Sequence, residues 1–230
     1  MKILAIGAHP DDIEFGCAPV LLKEVKKGTE VKLLVLSRGE AGSSGTPEQR
    51  EQESRKAAEL MRVAIDFWDF GGDCHIEDLR AHSFRIAGEI RRFEPSIVLA
   101  PDVDENQHPD HSAVGKMARD ACRFARYGGL EELKALPVHR VANLYFYTIT
   151  QHVGRRPDIV IDISEVVGDW EATMRCHETQ VRSKNYLELQ LSAARLLGLS
   201  IGVDCAIGLK AGDPLRLDYL SDVTLSSRCF

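Results

Sequence analysis

The stretch Lys2–Asp12, KILAIGAHPDD, decides the fold of this chain. Its apolar half predicts a short buried strand, and that strand ends directly in a histidine, a proline and two aspartates. A second such cluster, His108–His111 (HPDH), follows another apolar run in mid-chain. Together the clusters offer three or four metal ligands and a spare acid or base, the set that a catalytic zinc site needs.

Strand-like apolar runs alternate with amphipathic helical segments along the chain. This alternation indicates βαβ units with right-handed crossovers. We therefore predict one α/β domain over residues 1–230, a Rossmann-like three-layer sandwich around a mainly parallel sheet, with residues 198–230 as a closing segment. The predicted strands are Lys2–Ala8, Glu30–Ser37, Ile65–Phe70, Ser96–Ala100, Arg140–Thr150 and Asp158–Ile163, and the predicted helices are Cys17–Lys27, Pro47–Arg62, Ser83–Phe93, Asp110–Tyr127 and most of Glu165–Leu197.

Composition narrows the class of protein. The 230 residues are 44% hydrophobic and carry a formal net charge of −6, which argues against a nucleic-acid or anionic-membrane surface. No apolar run approaches the roughly 20 residues of a membrane span, and the first run is too short for a secretory leader. The six cysteines form no CxxC pair. We expect a cytoplasmic protein with reduced thiols.

The predicted topology brings the two clusters together. In a doubly wound sheet of order 3-2-1-4-5, strands 1 and 4 are neighbours, and ligands bind beyond their carboxyl ends. His9–Asp12 follows strand 1, and His108–His111 follows strand 4. Each cluster alone fits a structural explanation, such as Asp110 capping a helix. Their joint position favours a metal site.

The residue types suggest how the work is divided. Of two adjacent aspartates, only one readily faces a given metal, so the other is free to take a proton. Two histidines at i and i+3 share one helical face. One can bind the metal while the other, protonated through the influence of Asp110, faces a developing oxyanion. Asp110 or Glu14 could support a metal-binding histidine.

Four motifs in order resemble the PIG-L/LmbE-like zinc-dependent N-acetylglucosaminyl deacetylases. AHPDD follows strand 1, RGEAG (Arg38–Gly42) follows strand 2, an arginine lies in the next helix, and HPDH follows strand 4. The likeness runs from about Lys2 to Gln180. It implies removal of an acetyl group from an N-acetylglucosaminyl conjugate, which yields acetate and a primary amine, and a homo-oligomer such as a hexamer.

The resemblance also assigns roles to individual residues. One zinc ion per chain would be the cofactor. Asp11 would be the general base, and His108, oriented by Asp110, would stabilise the tetrahedral intermediate or protonate the leaving amine. The zinc ligands would be His9, Asp12 and His111, and substrate contacts would come from Arg50, Glu40 and Asp73.

Two departures from the family pattern leave the substrate open. Asp73 lies in Gly-Asp-Cys rather than Pro-Asp-Gly, and residues 202–209 lack the aromatic and the glutamate of a GVxYxExF-like segment. A metal-dependent amidase for a non-sugar N-acyl substrate is therefore an alternative. A nucleotide-binding module is a weaker one, because Asp11 and Asp12 would repel a phosphate. We expect His75, His82 and His152 not to be ligands.

Overall fold

The computed structural model describes residues 1–104, 108–150, 156–183, 185–223 and 226. Seven strands of these ranges form a single sheet. They are β1 (Lys2–Gly7), β2 (Glu30–Val35), β3 (Ala64–Phe67), β4 (Ile97–Pro101), β5 (Asn143–Tyr147), β6 (Ile159–Asp162) and β7 (Ala206–Ala211).

The strand order is β3-β2-β1-β4-β5-β7-β6. The first five strands are parallel and confirm the predicted order. β7 then pairs antiparallel with both β5 and β6. The segment 198–230 therefore contributes an inner strand of the sheet, which its mixed sequence did not predict, and β6 is the edge strand.

Eight helices flank the sheet in the described part of the chain. They are α1 (Asp12–Gly16), α2 (Ala18–Lys26), α3 (Pro47–Met61), α4 (Arg80–Phe93), α5 (Pro109–Phe124), α6 (Val167–Arg175), α7 (Glu178–Ser183) and α8 (Tyr186–Ile201). The long helical segment predicted after Glu165 is thus divided into three. At its first break the chain turns so that His177 is buried, with 1% of its surface exposed.

Both faces of the sheet are covered, which explains why β1 is apolar after its first residue, Lys2. Ile3 and Ala5 pack into one hydrophobic cluster, and Leu4 and Ile6 pack into the other. A parallel strand between two helical layers buries every side chain, so its sequence is continuously apolar rather than alternating.

No helix in the described ranges is both long and apolar enough to cross a membrane. The described cysteines, Cys17, Cys74, Cys122, Cys176 and Cys205, are free thiols. Cys229 and His152 lie outside the described residues.

Candidate active site

The two sequence clusters meet at the carboxyl ends of β1 and β4, as the topology predicted. His9 Nε2 lies 3.1 Å from Asp110 Oδ2, although the residues are 101 positions apart. His111 Nε2 lies 3.1 Å from Asp12 Oδ1. The parallel pairing of β1 with β4 produces this convergence.

Asp12 organises the turn after β1. Its Oδ2 accepts hydrogen bonds from the backbone N–H groups of Ala8, at 2.8 Å, and His9, at 2.9 Å. In a nucleotide-binding fold, backbone N–H groups at this turn and the helix N-terminus hold phosphate. Here the carboxylate already occupies two of them, which argues against the nucleotide-binding alternative.

Two carboxylates fix the orientation of His9. Its Nε2 lies 3.0 Å from Asp73 Oδ1 and 3.1 Å from Asp110 Oδ2, so Nε2 carries a proton. Nδ1 faces the other way, 3.5 Å from Asp12 Oδ2. A carboxylate on one ring nitrogen, with the other nitrogen turned towards a shared centre, is the usual arrangement around a metal-binding histidine.

His9, Asp12 and His111 could hold a metal ion. One ligand atom from each lies within 4.8 Å of the others, and all three residues are buried. Burial alone would raise the pKa of Asp12, but His111 and His9 outweigh it and hold this pKa well below its usual range. Burial would lower the pKa of His9, but Asp12 and Asp110 raise it well above its usual range. The carboxylates therefore favour positive charge here, and two imidazoles with one carboxylate suit zinc.

Asp11 lies beside this ligand set and does not belong to it. Its backbone has φ 111°, a conformation that side chains rarely adopt. Burial raises the pKa of Asp11 to about 6, against the opposing charge of the Arg50 guanidinium, whose Nη2 lies 3.4 Å from Asp11 Oδ2. A carboxyl group with a pKa near neutrality suits proton transfer.

Arg50 holds the strained turn in place. The Thr46–Gln49 capping box starts α3 one turn earlier and positions Arg50 under the loop. The buried guanidinium donates to Pro10 O at 2.8 Å and to Gly39 O at 3.2 Å. Arg50 also lines the pocket. Through these contacts Arg50 holds the backbone next to Asp11 and faces the Asp11 carboxylate. A substrate contact would be a further role.

His108 caps α5. Its Nδ1 accepts the backbone N–H of Asp110 at 3.2 Å, which leaves the hydrogen of a neutral ring on Nε2. Burial, together with the charge of His9, lowers the pKa of His108. The prediction that Asp110 keeps His108 protonated was wrong: the Asp110 side chain raises this pKa, but burial outweighs it. Asp110 orients His108 through its backbone and supports His9 through its carboxylate.

The two further substrate candidates differ in position. Asp73 lines the pocket, and although burial would raise its pKa, the hydrogen bond from His9 lowers it to about 2. Glu40 is outside the pocket lining. It accepts backbone N–H groups of Arg38 at 3.0 Å and Asp73 at 2.9 Å, so it joins two loops.

The pocket over these residues has a volume of about 230 Å³. Sequence reasoning missed several of its lining residues, among them Cys74, whose Sγ lies 3.4 Å from His108 Nε2. Cys74 stands where the family pattern Pro-Asp-Gly has its glycine, which is a local signal in the sequence, and its backbone is left-handed, φ 67°, where a glycine would be easier. His75 and His82 lie outside the lining. The other missed residues include Phe15, Ser43, Ser44, Thr150, Gln180 and Tyr186.

A second buried pair lies behind the pocket. Glu14 Oε1 is 3.3 Å from His177 Nε2, and each side chain is only 1% exposed. Burial would lower the pKa of His177, but Glu14 and Asp11 raise it. Glu14 therefore pairs with His177. Of Glu14 and Asp110, the two residues that the sequence offered as partners of a metal-binding histidine, it is Asp110 that contacts His9.

The fold and the site together place a buried group of histidines and aspartates that could hold a metal ion at the switch point of a doubly wound sheet. Residues 4–122 match the PIG-L family, described as GlcNAc-PI de-N-acetylase, over just over half of the chain. The chain belongs to this family, and its enzyme class is that of a hydrolytic N-deacetylase.

The individual relatives include a deacetylase, a hydratase and a protein whose name gives no activity. The diacetylchitobiose deacetylase of Thermococcus kodakarensis is 29% identical over 78% of this chain and 70% of its own length. The 4-oxalmesaconate hydratase of Pseudomonas putida is 23% identical over 86% of this chain and 83% of its own. In structure, the conserved protein TT1542 of Thermus thermophilus aligns with a TM-score of 0.84 and 29% identity, over 94% of this chain and 96% of that one.

Proposed function

We propose that the protein is a zinc-dependent enzyme that hydrolyses the acetamide of an N-acetylglucosaminyl conjugate to acetate and a primary amine. The observation that carries the proposal is the position of Asp11 beside the buried His9, Asp12 and His111 set. One zinc ion per chain, a cytoplasmic location and a homo-oligomeric state are further parts of the proposal.

The chain's own residues divide the chemistry. His9, Asp12 and His111 would hold the zinc ion, which would supply Lewis acidity towards the amide and lower the pKa of water. Asp11 takes the proton of the attacking water and returns it to the departing nitrogen, a double role that suits a pKa of about 6. Neutral His108 donates a hydrogen bond from Nε2 to the developing oxyanion. His9 stays aligned because Asp73 and Asp110 hold its Nε2.

The pocket supports a sugar as the acetylated group. Its lining combines hydroxyl and amide side chains with the apolar surfaces of Phe15, Ile149 and Tyr186. About 230 Å³ is small beside the roughly 300–1,000 Å³ of typical ligand sites, so we expect it to enclose one acetamido sugar and leave the rest of the conjugate outside.

The hydratase among the relatives suggests a competing reaction, the addition of water to an unsaturated dicarboxylate. The charge of the pocket disfavours it. Among the described lining residues, Arg50 is the one Lys or Arg, and its Nη1 and Nη2 groups already donate to Gly39, Pro10 and Asp11. A dicarboxylate would bring two negative charges, of which a zinc ion could pair with one, beside Asp11 and Asp73, whereas a neutral amide brings none.

A substrate panel tests the proposal. N,N′-diacetylchitobiose and a monosaccharide N-acetylglucosaminide should release acetate and primary amine in equal amounts. N-acetyl amino acids and 4-oxalmesaconate should react far more slowly. The Asp11→Asn variant serves as the control for background hydrolysis. Faster turnover of an N-acetyl amino acid would move the assignment to a non-sugar amidase, and hydration without amine release would exclude deacetylation.

A further inference from the structure

A second pocket lies at the opposite edge of the sheet from the active site. It opens where β5 begins, between the end of α5 and the chain that follows β7. Its volume is about 390 Å³, larger than that of the catalytic pocket. Because β5 runs parallel to β4, this is the amino edge of the sheet, and the catalytic residues lie at the carboxyl edge.

The lining of this second pocket is strongly basic, although the whole chain is acidic. Asp213 is its one described acidic residue. Three segments that are distant in sequence supply the cations, so they converge only in the folded chain. The cations are Arg119, Arg123, Arg126, Arg140 and Arg216.

The arrangement of these arginines is unfavourable without a counter-ion. Arg119 and Arg123 lie at i and i+4 in the last turns of α5, where like charges repel, and Arg126 lies two residues beyond the end of this helix. Within the described residues, Arg123, Arg126 and Arg140 have no carboxylate within 4.0 Å, and Arg119 has only Asp120 at 3.9 Å. Arg216 pairs with Asp218 at 3.2 Å. The solvated charges of an ordinary surface helix are usually interspersed with opposite charges, so an anion between these arginines would offset their repulsion.

We propose that this arginine pocket binds a small anion that carries two or more phosphate groups. Guanidinium groups bind phosphate oxygens in pairs, and arginines on separate segments can each take one phosphate. A concave pocket of this volume fits a small molecule. The acidic net charge of the chain and the absence of aromatic side chains from the described lining disfavour a nucleic-acid strand.

Titration calorimetry on the full-length protein with inorganic pyrophosphate and inorganic phosphate tests the site. The Arg123→Gln/Arg140→Gln variant removes two arginines from different segments. The matched control, Arg80→Gln/Arg182→Gln, removes two exposed arginines elsewhere. Pyrophosphate also binds divalent metals, so it could bind to a metal in the catalytic site. Binding to the arginine pocket is therefore the part of the calorimetric signal that the pocket variant removes.

We expect pyrophosphate to bind more tightly than phosphate, and to lose about 10-fold or more in affinity in the pocket variant, because each bidentate contact is charge-assisted. The control should bind like the parent, and all three proteins should deacetylate equally, because neither pair belongs to the catalytic site. Equal binding by pocket variant and parent, or equal loss in the control, would overturn the proposal. So would a single-stranded oligonucleotide that binds more tightly than pyrophosphate and is lost in the same variant.

Discussion

Replacing Asp11 by asparagine should remove the predicted general base while it leaves the fold in place. Asparagine has nearly the same shape and tolerates the left-handed backbone that this position requires. Arg50 keeps its bonds to Pro10 O and Gly39 O, so the turn stays in place. The change therefore removes one ionisable oxygen and leaves the fold and the metal ligands intact.

The structure sets the size of two effects. Loss of a general base should lower kcat by about 100-fold or more. A rise in the pKa of Asp11 from 3.8 to about 6 means that the ionised carboxylate costs the folded, metal-free protein about 3 kcal/mol at neutral pH. The sign follows from burial: the folded state holds the proton more tightly, so the neutral amide should raise the free energy of unfolding.

Three measurements on Asp11→Asn check this reasoning. Amine release gives kcat, elemental analysis gives the zinc content, and urea denaturation of chelator-treated protein gives the free energy of unfolding. We expect lower kcat, unchanged zinc and equal or greater stability. A kcat within about tenfold of the parent would refute the base assignment. Loss of zinc would place Asp11 among the ligands.

Four other single substitutions and one double change test the surrounding residues. His111→Ala should lose zinc, whereas His108→Ala should keep it and lose about 100-fold in kcat, the scale of one oxyanion donor; equal zinc loss in both would contradict the split. Asp110→Ala should weaken zinc affinity about 10–100-fold in a competition titration with a chelator, because it removes a carboxylate that supports a ligand; unchanged affinity would rule this role out. Glu14→Leu should lower the free energy of unfolding by about 3–5 kcal/mol, because it leaves His177 without its partner. The double variant Glu14→Leu/His177→Leu should recover part of this loss. If the losses of the two single variants simply add in the double variant, as measured by denaturant unfolding, the pair is not coupled.

Much of the fold was predictable because its signals are local. The apolar runs that became β1 and β4 needed no partner to be recognised, and the strand order followed from the βαβ alternation. β7 was not predictable in this way. Its sequence, AIGLKA, is short and contains a glycine, and its antiparallel position depends on β5 and β6, which are distant in the chain.

The helical region after Glu165 shows the same limit. Its periodicity predicts helix correctly over most of its length, but the break near His177 has no proline or glycine to mark it. Burial of His177 against Glu14, on α1, accompanies the break. A contact between such distant residues cannot be read from local preference.

The sequence by itself determined where the chemistry lies, because in a doubly wound sheet the residues that follow strands 1 and 4 must meet. It also supplied the pair of aspartates and the pair of histidines. Only the tertiary structure decided their protonation and partners. Asp73 and Asp110 converge on His9 from separate loops, and burial makes His108 neutral where neighbouring charge alone suggested a cation. A pKa depends on the surroundings of a group in three dimensions, and sequence spacing does not specify those surroundings.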